Sequence, residues 1–175
     1  TMRTTMLNHN IIDMDCSVNT DTVSRENVVL FSRHYLSVYT RFGSFKGNII
    51  SSYADLAGRT ISVAKGTTDL ININSLNRLQ KLNIMVLTQP TMKDAFAAMS
   101  SHKSYATAMN EVSLRQLIET SEDMKEYQIS TLTLGTPQDL GIMLRHNDIE
   151  LKNLVDKNLA ARFNRSDFKQ FYGPE

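Results

Sequence analysis

The sequence has few of the residues that build disulfide scaffolds or cysteine-rich metal centres. It contains one cysteine, no tryptophan, three prolines and seven glycines among 175 residues. The single cysteine, Cys16, excludes an internal disulfide framework and a zinc site made of several cysteines. No apolar run reaches the roughly 20 residues needed to cross a bilayer. The opening stretch TMRTTMLNHN lacks the apolar core of an export signal, so we expect none within this sequence.

The sequence also lacks an excess of charge of either sign. Lysine and arginine total 19 and aspartate and glutamate total 18, which gives a formal net charge of +1. There is therefore no broad basic field to favour nucleic acid and no acidic tail. Hydrophobic residues make up 41% of the chain, which is ordinary for a globular protein and too high for a disordered one.

The familiar catalytic motifs are absent as well. The sequence contains no Walker loop, no HExxH and no GxSxG. Its histidines do not have the spacing of metal ligands, and each is expected at the surface; they are His9, His34, His102 and His146. These patterns alone do not indicate an enzyme.

The apolar pattern predicts an α/β fold, because from Thr60 onward strands alternate with helices. Such alternation implies right-handed crossovers and a mostly parallel sheet, with ligands bound beyond the carboxyl ends of the strands. The predicted strands are 11–15, 36–41, 60–64, 84–88, 105–109, 128–134 and 141–144. The predicted helices are 52–58, 69–82, 91–99, 111–120, 149–163 and a last short one at 166–171, capped by Ser166.

Two loops that follow predicted strands contain candidate binding residues. Gly66, Thr67 and Thr68 open a predicted helix, whose N–H groups and positive dipole end can hold a carboxylate or phosphate. The alternative is that Thr67 only caps the helix. Arg25 follows the strand at 11–15, and its guanidinium can hold a carboxylate through two parallel hydrogen bonds, unless it is simply an exposed arginine.

A third candidate pair, Asn110 and Glu111, follows the predicted strand at 105–109. One of the two side chains could accept hydrogen bonds from a ligand ammonium; the alternative is an N-cap followed by an acidic first helical turn. Cys16, just after a strand, is expected to be a buried small apolar residue.

Several stretches, taken in order, resemble extracytoplasmic solute-binding proteins of amino-acid ABC importers. The resemblance is to the two-lobed, family 3 type, nearest the glutamate/aspartate-binding branch. The stretches are Asp13 to Cys16 with Thr20 and Arg25, FSRHY from Phe31, SYADLAG from Ser52, ISVAKGTT from Ile61, the helix at 94–99, and GIMLR from Gly141. This resemblance implies a periplasmic-binding-protein-like (type II) fold, often called a Venus flytrap.

The resemblance also implies a role for each candidate residue. Arg25 would bind the α-carboxylate of an amino acid with help from Thr20, and the GTT step, mainly Thr68 with Thr67 and Gly66, would complete that site from the second lobe. Asn110 stands where the family usually has an aspartate that pairs with the ligand ammonium. Val18 stands where the family has a hydroxyl, which removes one hydrogen-bond donor.

The resemblance further implies a division of the chain into lobes. Residues 1–37 and 136–175 would form part of lobe one, and residues 38–135 a complete lobe two. The chain would begin partway into lobe one. An incomplete lobe leaves strand edges and apolar faces open. We therefore expect the lobe-one part to pair with a second copy or to be poorly ordered.

The function implied is capture of a polar or acidic amino acid between two lobes, for uptake by a transporter permease. No cofactor or metal is implied, and the location would be the periplasm or, for a lipoprotein, the cell surface. Two alternatives stay open. The chain is a divergent or truncated domain that no longer binds ligand, or it resembles the cyclohexadienyl dehydratases of the same fold, for which Glu111 is the one candidate acid or base.

Overall fold

The computed structural model describes residues 2–163. The chain divides into two compact units: unit 1 is Thr1–Ser37 with Gln138–Glu175, and unit 2 is Val38–Pro137. The boundaries expected from the resemblance are 37/38 and 135/136. The short helix predicted at 166–171 with Ser166 as its cap lies outside the described residues.

Six α-helices and eight strands are assigned among the described residues, together with short 3-10 helices at Tyr53–Leu56 and Met124–Glu126. The α-helices are α1 (Met2–Asn8), α2 (Val23–Glu26), α3 (Thr68–Gln80), α4 (Met92–Ser100), α5 (Glu111–Glu119) and α6 (Ile149–Phe163). The strands are β1 (Met14–Asp15), β2 (Val29–Phe31), β3 (Leu36–Phe45), β4 (Thr60–Ala64), β5 (Met85–Gln89), β6 (Ala106–Asn110), β7 (Tyr127–Leu140) and β8 (Met143–Arg145).

Unit 1 contains a three-stranded antiparallel sheet in the order β1-β8-β2. The central strand β8 pairs with β1 through Leu144 opposite Met14, and with β2 through Leu144 opposite Leu30. Its apolar cluster is small and contains Leu7, Val29, Phe31 and Met143, with Ile12 packed against it.

Unit 2 contains a five-stranded sheet in the order β5-β4-β6-β3-β7. Strands β5, β4 and β6 are parallel, since the helices α3 and α4 carry the chain back between them. Strand β3 is antiparallel to β6. The mostly parallel sheet predicted from Thr60 onward is therefore confirmed for the three strands with helical crossovers, and the antiparallel strand β3 lies before that stretch.

Two apolar clusters cover the two faces of the unit 2 sheet. Ile61 and Val63 of β4 pack in the same cluster as Ile73 of α3. Ser62, between them in sequence, turns to the other face and donates its hydroxyl to the Ala95 carbonyl of α4, at 2.7 Å. Successive strand side chains point to opposite faces, so α3 on one side and α4 with α5 on the other make three layers.

The predictions failed most in the first thirty or so residues, where three elements were missed: α1, α2 and β2. The strand predicted at 11–15 contains only Met14–Asp15. Cys16 was expected to be buried and is exposed, because it lies in the loop that follows the two-residue strand β1. Partial desolvation and the negative charge of Asp15 raise the pKa of the Cys16 thiol.

Candidate functional site

Arg25 lies on the one-turn helix α2 of unit 1. Thr22 caps this helix, and its hydroxyl accepts a hydrogen bond from the backbone N–H of Arg25 at 3.3 Å. The guanidinium Nη1 donates to the backbone carbonyl of Thr20 at 2.7 Å. The arginine head group is therefore held against the loop that precedes its own helix, half-buried and with a fixed orientation.

Thr20 is fixed in turn by the segment that returns to unit 1. It forms an isolated antiparallel bridge with Leu140, and its hydroxyl donates to Gln138 Oε1 at 2.6 Å. Sequence reasoning missed Gln138, because 118 positions separate it from Thr20. The structure thus brings two predicted residues, Thr20 and Arg25, into direct contact. The neighbouring Val18 adds no donor, as expected from its type.

A polar network in unit 1 supports this loop from the side of β1. The carboxylate of Asp15 accepts from the hydroxyl and the backbone N–H of Ser17 and from the Arg3 guanidinium, at 2.5, 2.9 and 3.2 Å. Asn19 is fully buried and donates its amide to the Asp15 carbonyl at 3.0 Å. Burial opposes ionisation of Asp15, but these hydrogen bonds and the charge of Arg3 outweigh it and lower the pKa of the carboxyl.

Gly66, Thr67 and Thr68 connect β4 to α3 in unit 2. Gly66 has a φ of +73°, in the left-handed region that glycine adopts without strain. The Thr67 hydroxyl accepts from the Leu70 N–H at 3.2 Å and donates to the Ala64 carbonyl at 2.8 Å. Thr67 is therefore the N-cap of α3, as the alternative interpretation held, and Thr68 is the first residue of the helix.

A carboxylate that sequence reasoning missed lies in the first turn of α3. Asp69 is 3% exposed and accepts a hydrogen bond from the hydroxyl of Thr40 on β3. A negative side chain at this point interacts favourably with the helix dipole. The available signal was the acidic residue directly after the GTT step, but nothing in the sequence indicated its burial against Thr40.

Asn110 is the last residue of β6 and Glu111 is the first residue of α5. Because β6 is a parallel neighbour of β4, both lie at the same edge of the unit 2 sheet as the GTT step. Asn110 is 3% exposed; its side-chain oxygen caps α5 by accepting from the Ser113 N–H at 2.9 Å. Its amide donates to the sulfur of Met92 at 3.7 Å. Asn110 is therefore the N-cap of α5.

Both carboxylate oxygens of Glu111 are bound within unit 2. One accepts from Nε of Arg41 at 2.6 Å and the other from the backbone N–H of Tyr39 at 3.1 Å. Because both partners belong to β3, this ion pair fastens α5 to that strand. The arrangement is that of a structural carboxylate.

Within residues 2–163, no group of three histidine, cysteine, aspartate or glutamate side chains could hold a metal ion. Among residues 2–163, no helix combines the length and the apolar character that a membrane span requires.

No family model matches the chain, but curated proteins do. It is 29% identical over 161 residues to the glutamate/aspartate import solute-binding proteins of Salmonella typhimurium and Escherichia coli, covering 90% of this chain and 52% of theirs. It is 23% identical over 173 residues to the L-glutamate/L-aspartate-binding protein of Pseudomonas aeruginosa. The chain thus spans about half the length of the curated relatives it matches.

Solved structures give the fold. An ancestral arginine-binding protein bound to glutamine matches with a TM-score of 0.84 and 21% identity, over 97% of this chain and 73% of that one. The L-cysteine solute receptor of Neisseria gonorrhoeae matches with a TM-score of 0.80 and 20% identity, over 97% and 66%. The predicted periplasmic-binding-protein-like α/β fold is confirmed. Along nine-tenths of its length the chain resembles the solute-binding proteins of glutamate/aspartate import, as its motifs predicted.

Proposed function

We propose that this chain is the ligand-binding part of a solute-binding protein, and that it captures an acidic or polar amino acid for import. The observation that carries this proposal is the similarity to three glutamate- and aspartate-binding proteins over 90% or more of the chain. The names of all three relatives describe binding, and two of them describe import.

In this proposal the α-carboxylate of the amino acid is bound by Arg25. The Thr20 carbonyl orients the guanidinium before ligand arrives, which lowers the entropy lost on binding. Thr68 and the backbone of Gly66 are assigned to the same carboxylate. Thr67 contributes by holding the turn through its two hydrogen bonds, since its hydroxyl proton is donated to Ala64.

Asn110 is proposed to face the amino group of the ligand. An asparagine supplies no negative charge, so the charge-assisted part of that hydrogen bond is lost. Its oxygen already accepts from Ser113 and would have to accept a second bond. We expect this position to bind an ammonium more weakly than an aspartate would.

The remaining assignments also belong to the proposal. The partner would be an ABC-transporter permease, and the location the periplasm or the outer face of the membrane through a lipid anchor. Pairing of unit 1 with a second copy is a further proposal, based on its small three-stranded sheet. A catalytic role is not proposed, because Glu111 is bound by Arg41 and the Tyr39 backbone.

Isothermal calorimetry on the purified chain tests the proposal. The panel is L-glutamate, L-aspartate, L-glutamine, L-arginine and L-cysteine. We expect saturable heat from at least one acidic or polar member. No heat from any member at millimolar concentration would instead favour a domain that has lost ligand binding, for which Val18 and Asn110 are the sequence signals.

The matched variants are Arg25→Ala and Arg78→Ala. Removing Arg25 should weaken binding by about 2–5 kcal/mol, the range for truncating one partner of a buried charged pair. Arg78 is an exposed arginine near the end of α3, so its removal changes net charge equally and should leave the dissociation constant unchanged. Equal affinities for the two variants would refute the role of Arg25.

A further inference from the structure

Unit 2 has a second concave surface at the edge of its sheet opposite the GTT step. Thr60 and Met85 begin the parallel strands β4 and β5, and Tyr105 directly precedes the parallel strand β6. At these amino ends lies a pocket of about 370 Å³. The residues that line it include Asn48, Arg59, His102, Lys103, Ser104 and Tyr105. The carboxyl ends of the same strands lead to the proposed amino-acid site, so the two sites are separate.

The pocket has an ordered floor. The Tyr105 backbone is fixed at both ends, since its N–H donates to the Thr60 carbonyl at 2.8 Å and its carbonyl accepts from the Asn48 amide at 3.1 Å. The guanidinium of Arg59 lies over the Tyr105 ring, 4.6 Å from its centroid. A stacked guanidinium keeps its N–H groups in the ring-parallel plane, where they can donate to an incoming anion.

The wall of the pocket is also held in place. His102 has a φ of +58° in the turn after α4, and its ring stacks on Phe45 at 4.4 Å with an interplanar angle of 10°. Lys103 follows it, and its backbone N–H is bound to the Ala98 carbonyl at 2.8 Å. Ser104 is buried, and its hydroxyl donates to Ser62 at 2.9 Å.

The charge of the pocket is of one sign. None of its lining residues is an aspartate or glutamate. Arg59 and Lys103 both lie on it, and in the described part of the chain neither side chain forms an ion pair or a hydrogen bond to a protein acceptor. Arg59, His102 and Lys103 are exposed, so two permanent cations, a histidine and an asparagine amide border an open pocket in which nothing from residues 2–163 balances their charge.

We propose that this pocket binds a phosphate group, either as free phosphate or as the head of a small phosphomonoester. A phosphate carries about −1.5 to −2 charges at neutral pH and has three or more acceptor oxygens, so it can satisfy Arg59, Lys103 and His102 together. A single carboxylate would leave one of the two permanent cations unbalanced. The proposal does not depend on amino-acid binding by the same chain.

Titration with inorganic phosphate and, separately, with glycerol phosphate tests the proposal at constant ionic strength. The chain has six tyrosines and no tryptophan, so tyrosine emission can follow events near Tyr105 beside calorimetry. We expect saturable binding of at least one of the two probes. Tighter binding of glycerol phosphate would identify a phosphomonoester as the ligand, and tighter binding of inorganic phosphate would identify the free anion.

The variants are Arg59→Gln and Lys103→Gln. Arg78→Gln is the control, because it changes the net charge by the same amount. Each pocket variant should weaken phosphate binding roughly twofold to fivefold, the size expected for one charged contact at an exposed position. The control should leave binding unchanged, and all three should keep the circular dichroism of the parent. Absence of binding at about 10 mM of either probe, or equal binding by Arg59→Gln and Arg78→Gln, would overturn the proposal.

Discussion

Unit 2 is one continuous stretch of chain, whereas unit 1 is assembled from both ends of the sequence. Unit 2 packs two apolar clusters on the faces of a five-stranded sheet. Among the described residues, unit 1 has one small apolar cluster under three short strands, together with buried polar groups that include Asp15 and Asn19. Stability in unit 2 therefore comes mainly from apolar burial, and unit 1 depends far more on hydrogen bonds between distant segments.

The largest expected effect tests whether apolar burial provides most of the stability of unit 2. Phe42 on β3 is fully buried in the cluster beneath α3. Phe42→Ala should lower the free energy of unfolding by about 3–5 kcal/mol, from lost transfer energy and the cavity left behind. The control Leu79→Ala removes a side chain that is 76% exposed and should change it by less than about 0.5 kcal/mol.

Residue-resolved hydrogen exchange shows where the loss occurs. Amides of residues 38–137 should lose protection in Phe42→Ala, while those of β2 and β8 keep theirs. Equal losses of protection in both units would mean that they unfold as one cooperative body. That result would contradict the difference in stabilisation between the two units.

The same contrast explains which elements the sequence could predict. The strand at 60–64 and the helix at 149–163 match the structure residue for residue. Thr60 to Ala64 is a β-branched apolar run covered on both faces, so its pattern alone defines it. The strand at 11–15 failed because β1 is limited to the residues that pair with Met143 and Leu144, which are more than a hundred positions away.

The residues of the candidate site also include some that local sequence rules could predict and others that they could not. Local rules predicted the capping function of Thr67 and of Asn110, because serine, threonine and asparagine at these positions bond to the helix that follows them. No local rule could place Gln138 on Thr20 or Thr40 on Asp69, since these contacts join distant segments. Residue type thus predicted the local role, and only the fold revealed the partners.

A smaller effect tests whether hydrogen bonds between distant segments stabilise unit 1. Asp15→Asn removes the charge that Arg3 and Ser17 stabilise and should lower the stability of unit 1 at pH 7 by about 1–3 kcal/mol. The folded-state pKa of Asp15 is depressed, so its contribution is present above the unfolded value, near pH 4, and is lost as the pH falls through the folded value.

Urea unfolding between pH 7 and pH 2.5 measures this contribution. The parent should lose more stability on acidification than Asp15→Asn, because the variant has already lost the titrating group. Asp123→Asn changes the charge equally at an exposed position and should retain the parent's pH dependence. If the Asp15 variant follows the parent curve at every pH, this network does not stabilise unit 1.

The smallest effect concerns the one buried charge beside the proposed carboxylate site in unit 2. Asp69 is ionisable, lies in the first turn of α3 and is held by the Thr40 hydroxyl. Its charge favours the helix dipole but opposes a ligand carboxylate at the same helix end. Asp69→Asn keeps an oxygen that can accept from Thr40 and removes that charge, so stability should fall by about 0.3–1 kcal/mol while affinity for an acidic amino acid rises by a similar amount.

Calorimetry and urea unfolding on the same variant separate these two effects. Glu119→Gln, at the exposed end of α5, changes the net charge equally and should alter neither quantity. A fall in affinity for Asp69→Asn with unchanged stability would mean that the carboxylate acts by orienting the GTT turn instead of by repelling the ligand. The sign of the change in affinity therefore distinguishes an electrostatic role of Asp69 from a positioning role, although both predict a change at the same residue.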